Sequence, residues 1–159
     1  MSTRIIGILL ENHSGALSRV AGLFSSRGYN ITSLTVAETD DPTISRMTIV
    51  VDGEANILEQ IVKQLNRLID AIKVIEMVDN DYVERELVLV QVDSTKSTRH
   101  EIIELASMYN AKIAAVTQSV ITLELAGAKR IVEDFIALIK PYGIRELVRS
   151  GTIALSNRK

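Results

Sequence analysis

The sequence predicts an α+β fold of two tandem modules, each with the element order βαββαβ. Three observations predict it. Short apolar runs alternate in strand fashion and give way, at regular places, to apolar residues at helical spacing. The same succession of strand and helix segments occurs twice within 159 residues, giving modules of roughly 75–80 residues, within the usual domain range. The core-forming residues are almost all Ile, Val, Leu and Ala, with no Trp and two Phe, as suits helices packed on a sheet.

In the first module Arg4 to Leu10 reads as a buried strand and Glu11 to Gly15 as a turn. From Ala16 the period changes, and Leu17, Val20, Ala21 and Phe24 fall on one helical face. Arg27 and Gly28 end that helix, with Gly28 suited to a left-handed cap. Ile31 to Ala37 alternates as a second strand. Thr39 to Pro42 is turn chemistry, and Ser45 to Val51 is a third strand with Met47, Ile49 and Val51 on one face. Ile57, Ile61, Leu65 and Leu68 mark a second helix, and residues 69–78 a fourth strand starting near Asp70. Asn80 to Tyr82 reads as a linker.

The second module repeats the plan. Glu84 to Val92 is a strand, and residues from about Thr95 to Tyr109 carry Ile102, Ile103 and Ala106 on a helix. Ala111 to Thr117 and Val120 to Ala126 are strands, interrupted at Gly127. Ile131, Phe135 and Ile139 define a helix closed by Pro141 and Gly143. Ile144 to Arg149 is the last strand of the repeat, followed by an extra edge strand near Gly151 to Leu155 and a basic tail, Arg158-Lys159. This is the ferredoxin-like plan, two helices on one face of a four-stranded antiparallel sheet. Its other face is left for a partner, most economically a second copy in a symmetric dimer.

Composition removes several function classes. Eighteen basic and 20 acidic residues leave a net charge of −2, which gives no general attraction to nucleic acid or anionic lipid. The third strand lacks the exposed aromatics of an RNA-binding sheet. There is no cysteine, which excludes thiol chemistry and fits a reducing cytoplasm. The first apolar run stops at Leu10, too short for a membrane span. His13 and His100 are the two histidines, far apart in sequence, and their spacing suggests no metal site. No nucleophile elbow, phosphate loop or dinucleotide fingerprint is present, so no catalytic residue is assigned.

The informative segment is Leu10-Glu11-Asn12-His13-Ser14-Gly15-Ala16-Leu17-Ser18, where a strand passes into a helix. The first backbone N–H groups of a helix lack internal partners and suit a carboxylate. Gly15 permits close approach of a ligand, and Asn12 offers both donor and acceptor. From spacing alone, an ordinary cap at Ser14 and a turn at Gly15 explain the same residues more simply. A second polar cluster, Tyr29 to Ser33, adjoins small and apolar side chains at Ile31, Thr35 and Ala37.

Residues 9–20 resemble the opening of the acetohydroxyacid (acetolactate) synthase small subunit. The resemblance runs through Gly22 to Ile31, Ser33 to Ala37 and Thr39 to Ile49, returns at Leu58-Glu59-Gln60-Ile61, Lys63-Gln64-Leu65, Glu84-Arg85-Glu86-Leu87 and Arg149-Ser150-Gly151, and is looser from Asp93 to Arg145. It implies an ACT domain over residues 1–79, and over 80–159 the C-terminal ferredoxin-like domain of this family. It implies a non-catalytic cytoplasmic regulator that activates a large catalytic subunit and confers inhibition by valine, sometimes with leucine or isoleucine. A stand-alone amino-acid-sensing ACT protein acting on another enzyme is the alternative. The implied effector-binding residues are Asn12, His13, Ser14, Gly15, Ala16, Leu17 and Ser18, with Asn30 and Ile31 supplied by the second chain of a homodimer. His13 stands where the family often has an acidic residue. Thiamine diphosphate, Mg²⁺ and FAD are implied for the catalytic subunit and no cofactor for this chain.

Overall fold

A computed structural model describes residues 2–27 and 29–158; the cap expected at Gly28 and the end of the tail at Lys159 lie outside them. The chain divides into two compact units, one made of residues up to Val83 together with those from Thr152 onward, the other Glu84–Gly151.

The first unit contains β1 (Ser2–Glu11), α1 (Ala16–Ser25), β2 (Ile31–Glu38), β3 (Ile44–Gly53), α2 (Ala55–Leu65) and β4 (Ala71–Glu76), with antiparallel strand order β2-β3-β1-β4. Alternation along β1 and β3 sends Ile6, Ile8, Leu10, Met47, Ile49 and Val51 to one face. There they meet Val20 and Phe24 of α1 and Leu58, Ile61 and Leu65 of α2.

Three details differ from the sequence reading, the first being that α2 ends at Leu65, before Leu68, and buries Leu58 where Ile57 was expected. On α1 the buried residues are Ala16, Val20 and Phe24, while Leu17 is 43% exposed. The helix begins immediately after Gly15, and residues four apart then share its inner face, turning Leu17 outward. The fourth strand covers only 71–76, and just before it the Asp70 carbonyl accepts the Glu11 N–H at 2.9 Å. The β1–β4 register shifts between Leu9 and Leu10; such irregularities bend a strand end and re-aim its side chains.

The second unit carries most of β5 (Tyr82–Asp93), then α3 (Arg99–Met108), β6 (Lys112–Val116), β7 (Val120–Gly127), α4 (Lys129–Ile139) and β8 (Ile144–Arg149), in the order β6-β7-β5-β8. Its core joins Val88, Val90, Val92, Ile121, Leu123 and Leu125 to Ile102, Ala106, Val132, Phe135 and Ile139. The βαββαβ order expected twice is present twice. Tyr82 is already strand rather than linker, and Gly127 ends β7 rather than interrupting the strands around it. Helix α3 starts at Arg99 because Thr95 and Thr98 form a reciprocal turn, each backbone N–H donating to the other's hydroxyl at 2.9 and 3.2 Å.

The segment from Thr152 returns to the first unit, with β9 at Ile153–Ser156. The Thr152 N–H donates to Ser33 Oγ at 2.9 Å, Arg46 Nη2 to the Ala154 carbonyl at 3.1 Å, and the Asn157 N–H to the Asp81 carbonyl at 3.0 Å. Gly7, Thr48 and Val50 on the helix-free face of the first sheet are buried, as are Thr152 and Ala154. Part of the face that the sequence reading left for a partner is thus occupied by the chain's own tail.

Candidate functional site

At the C-terminal ends of β1 and β2, a cavity of about 290 Å³ is lined by Leu10, Glu11, Asn12, His13, Ala16, Leu17, Val36, Ala37, Glu38 and Ser45. A liquid water occupies about 30 Å³, so the volume accommodates a small amino acid. Local sequence builds the floor: β1 delivers Leu10, the 12–15 turn reverses the chain, and α1 begins over it. Gly15 has φ +88°, a conformation that costs other residues about 1–2 kcal/mol. It lets the chain enter α1 with no side-chain cap and no acidic residue in the first turn. The Arg19 N–H closes the first helical turn on the Gly15 carbonyl at 3.0 Å, and the Ala16 N–H makes a long bond of 3.4 Å to the His13 carbonyl. Among the described residues, the Leu17 and Ser18 amides have no backbone acceptor outside the helix and lie too near its start to have one within it. These positively polarised donors belong to the first turn of α1, whose Ala16 and Leu17 line the cavity together with Glu38.

The site residues expected from sequence divide into two groups. Asn12, His13, Ser14, Gly15, Ala16, Leu17 and Ser18 lie together around the α1 entrance, with Asn12, His13, Ala16 and Leu17 lining the cavity. Asn12 holds the loop to its neighbours: its Nδ2 donates to Glu38 Oε1 at 3.0 Å and to the Pro42 carbonyl at 2.8 Å, and its backbone N–H to the Thr43 carbonyl at 2.8 Å. Asn30 and Ile31 are not brought to this cavity within one chain. Ile31 begins β2 and Glu38 ends it, and at about 3.3 Å per residue that places them some 20 Å apart or more.

Sequence reasoning missed Val36, Glu38 and Ser45, which reach the cavity only through the β2–β3–β1 order. It also missed an ionic cluster beneath the loop. Asp70, 2% exposed, receives both Arg19 Nε and Arg19 Nη2, the second at 3.1 Å. His13 Nε2 lies 2.9 Å from Asp70 Oδ1 and 3.3 Å from Glu11 Oε2, while His13 Nδ1 is 3.2 Å from the Ser14 carbonyl. The Arg19 guanidinium, and secondarily His13, hold the Asp70 carboxyl below its usual range. The Ser14 carbonyl first, then the Asp70 and Glu11 carboxylates, raise His13 against the opposing effects of desolvation and Arg19. The signal that could have found this cluster is the Asp70-Ala71 step at the strand entrance, where a charge precedes an apolar run.

The sequence matches the family described as the AHAS small subunit-like ACT domain over residues 6–73, and that described as the small subunit of acetolactate synthase over residues 85–158. The chain belongs to the acetolactate synthase small-subunit family. It is 50% identical over 154 residues to the acetolactate synthase small subunit of Haemophilus influenzae, and 49% identical to the isozyme 3 small subunit of Escherichia coli; each alignment covers 96% of this chain and 94% of the relative. The crystal structure of the acetolactate synthase small subunit from Thermotoga maritima superposes with a TM-score of 0.89 at 33% identity, covering 100% of this chain and 99% of that one. The family and the paired ferredoxin-like fold expected from the sequence are both borne out. Members of this family are regulatory rather than catalytic chains. No helix among the described residues is long and apolar enough to cross a membrane.

Proposed function

We propose that this chain activates the large catalytic subunit of acetolactate synthase in the cytoplasm and makes it sensitive to valine, which binds in the cavity at the start of α1. The observation that carries the reading is the open N-terminus of α1 beside a cavity lined by Leu10, Leu17 and Val36 together with Glu11 and Glu38. Valine's carboxylate is met by the Leu17 and Ser18 amides, where the helix end carries a partial positive charge. Its ammonium is met by Glu38 or Glu11. Its isopropyl group packs on Leu10, Leu17 and Val36. Leucine or isoleucine fits the same chemistry with a longer apolar end. In a homodimer, Asn30 and Ile31 of a second copy complete the enclosure, so that valine favours one arrangement of the pair. Only such differential affinity shifts an equilibrium, and a coupling of about 1–3 kcal/mol gives a marked change in rate. The condensation of two pyruvates, on thiamine diphosphate, Mg²⁺ and FAD, belongs to the large subunit. The match along nearly the whole chain supports this over a stand-alone amino-acid sensor acting on another enzyme.

The test is Gly15→Asp in the reconstituted enzyme. Asp tolerates positive φ better than most residues, and its Cβ lies 3.0 Å from Arg19 Nη1, so the flexible guanidinium gives way while a carboxylate is added at the helix start. Valine inhibition is expected to disappear with activation retained. Undiminished valine inhibition would overturn the assignment.

A further inference from the structure

We propose that Glu11, His13 and Asp70 form a binding site for a divalent transition-metal ion of the zinc type, beneath the loop that enters α1. Each offers one ligand atom, and these atoms lie within 4.8 Å of one another. Two of the three separations match a coordination polyhedron. Zinc bonds of about 2.0–2.1 Å to nitrogen and oxygen in a tetrahedron place neighbouring ligand atoms roughly 3.3 Å apart. The distances from His13 Nε2 are 3.3 Å to Glu11 Oε2 and 2.9 Å to Asp70 Oδ1.

A second observation is independent of the spacing. Nδ1 of His13 sits 3.2 Å from the Ser14 carbonyl, and a carbonyl can only accept, so Nδ1 carries a proton. This is the outer hydrogen bond that fixes the tautomer of metal-binding histidines and leaves Nε2 as the ligand. Nε2 then faces two carboxylate oxygens. A bare lone pair there is repelled by both, so the position calls for a cation, either a proton or a metal ion. Arg19 holds both oxygens of Asp70, Oδ2 through Nε and Oδ1 through Nη2 at 3.1 Å, and orients that carboxylate as a further outer partner. It also brings a positive charge close by, which lowers affinity relative to an all-anionic site.

Three protein ligands leave a fourth position for water, the arrangement of an exchangeable rather than a structural zinc site. The imidazole ligand selects Zn²⁺, Co²⁺ or Ni²⁺ over Mg²⁺ or Ca²⁺, which prefer all-oxygen shells. Glu11 and His13 also line the cavity proposed for valine, and titration in the absence of valine tests the metal site by itself.

The test is calorimetric titration of Zn²⁺ into metal-free full-length protein, with visible absorption of the Co²⁺ form as a second readout. Glu11 and His13 side chains are 57% and 44% exposed, so Glu11→Gln and His13→Gln should leave folding intact, as circular dichroism checks. The chain has two histidines, which makes His100→Gln on α3 the internal control. One Zn²⁺ per chain is expected, with His13→Gln weakening it roughly 100-fold, Glu11→Gln weakening it at least about tenfold, and His100→Gln leaving it unchanged. Absence of saturable Zn²⁺ binding, or binding that His13→Gln leaves within about twofold, would overturn the site.

Discussion

Arg149 offers a quantitative test of how the second unit is held together. Both Glu86 oxygens are bound by Arg149, Nη2 to Oε2 at 3.0 Å, and Nη2 also donates to Glu133 Oε1 on α4 at 2.7 Å. Glu86 is 4% exposed, and the Arg149 side chain is 33% exposed. The ion pair joins the start of the central strand to the end of the edge strand. The Ser150 N–H donates to the Leu87 carbonyl at 2.9 Å beside it, and the Leu87 N–H to Ser150 Oγ at 3.0 Å. Arg149→Met keeps the apolar stem and removes the charge, stranding a buried carboxylate. Breaking such a pair costs about 3–5 kcal/mol, and the partial exposure of Arg149 puts the expected loss near the lower bound, about 3 kcal/mol. With a urea dependence of about 1 kcal/mol per molar for a unit this small, the midpoint should fall by about 3 M. The Tyr109 and Phe135 rings, 5.4 Å apart in the same core, report the transition by near-ultraviolet circular dichroism. Adding Glu86→Gln should restore much of the loss, because the stranded charge is removed with its partner. A midpoint lowered by less than about 0.5 M, or a double variant no better than the single one, would refute the stranded-charge argument.

Phe24→Ala empties a site that is 1% exposed between α1 and the sheet; a loss of about 3–5 kcal/mol is expected in denaturant titration. Gly7→Ala places a Cβ 2.5 Å from Arg46 Nη2. The guanidinium must then leave the Ala154 carbonyl, and faster amide exchange at residues 152–156 is the readout, with unchanged exchange as the contrary result. The hydroxyl and then the amide of Thr43 hold the Asp41 carboxyl below its usual range. That contact therefore stabilises the β2–β3 turn above the ordinary value of 3.8, and the contribution is lost as pH falls through the lowered folded value. Thr43→Val should raise the Asp41 titration midpoint in carboxyl-carbon NMR, and an unmoved midpoint would contradict the assignment.

Local signals made most of the fold legible. Met47, Ile49 and Val51 alternate within five residues, and Phe135 and Ile139 recur at helical spacing, so strand and helix could be told apart without knowing their neighbours, although Ile131, expected on the same helical face, is 42% exposed and Val132 is buried in its stead. The 12–18 loop was legible for the same reason, since a turn, a glycine and a helix start are consecutive in the chain. Glu38 and Asp70 were not. They reach the loop because β3 separates β2 from β1 and β4 pairs with β1's other edge, an order that no short window encodes. The facing of Leu17 failed for a smaller reason. Ala16 and Leu17 lie four and three residues before Val20, so spacing allows either on the inner face, and the structure buries Ala16.

The return of residues 152–157 means that one folded body is encoded in two separate stretches of the chain. Thr152 meets Ser33 across 119 positions, and Ala154 meets Arg46 across 108. During synthesis the ribosome must therefore finish all of Glu84–Gly151 before the piece that completes the earlier body exists. Until then the nascent N-terminal sheet exposes backbone and apolar groups without their eventual cover, a condition that favours chaperone capture or wrong strand pairing. A fragment ending at Val83 would be trapped in that unfinished state, whatever the quality of its own helices.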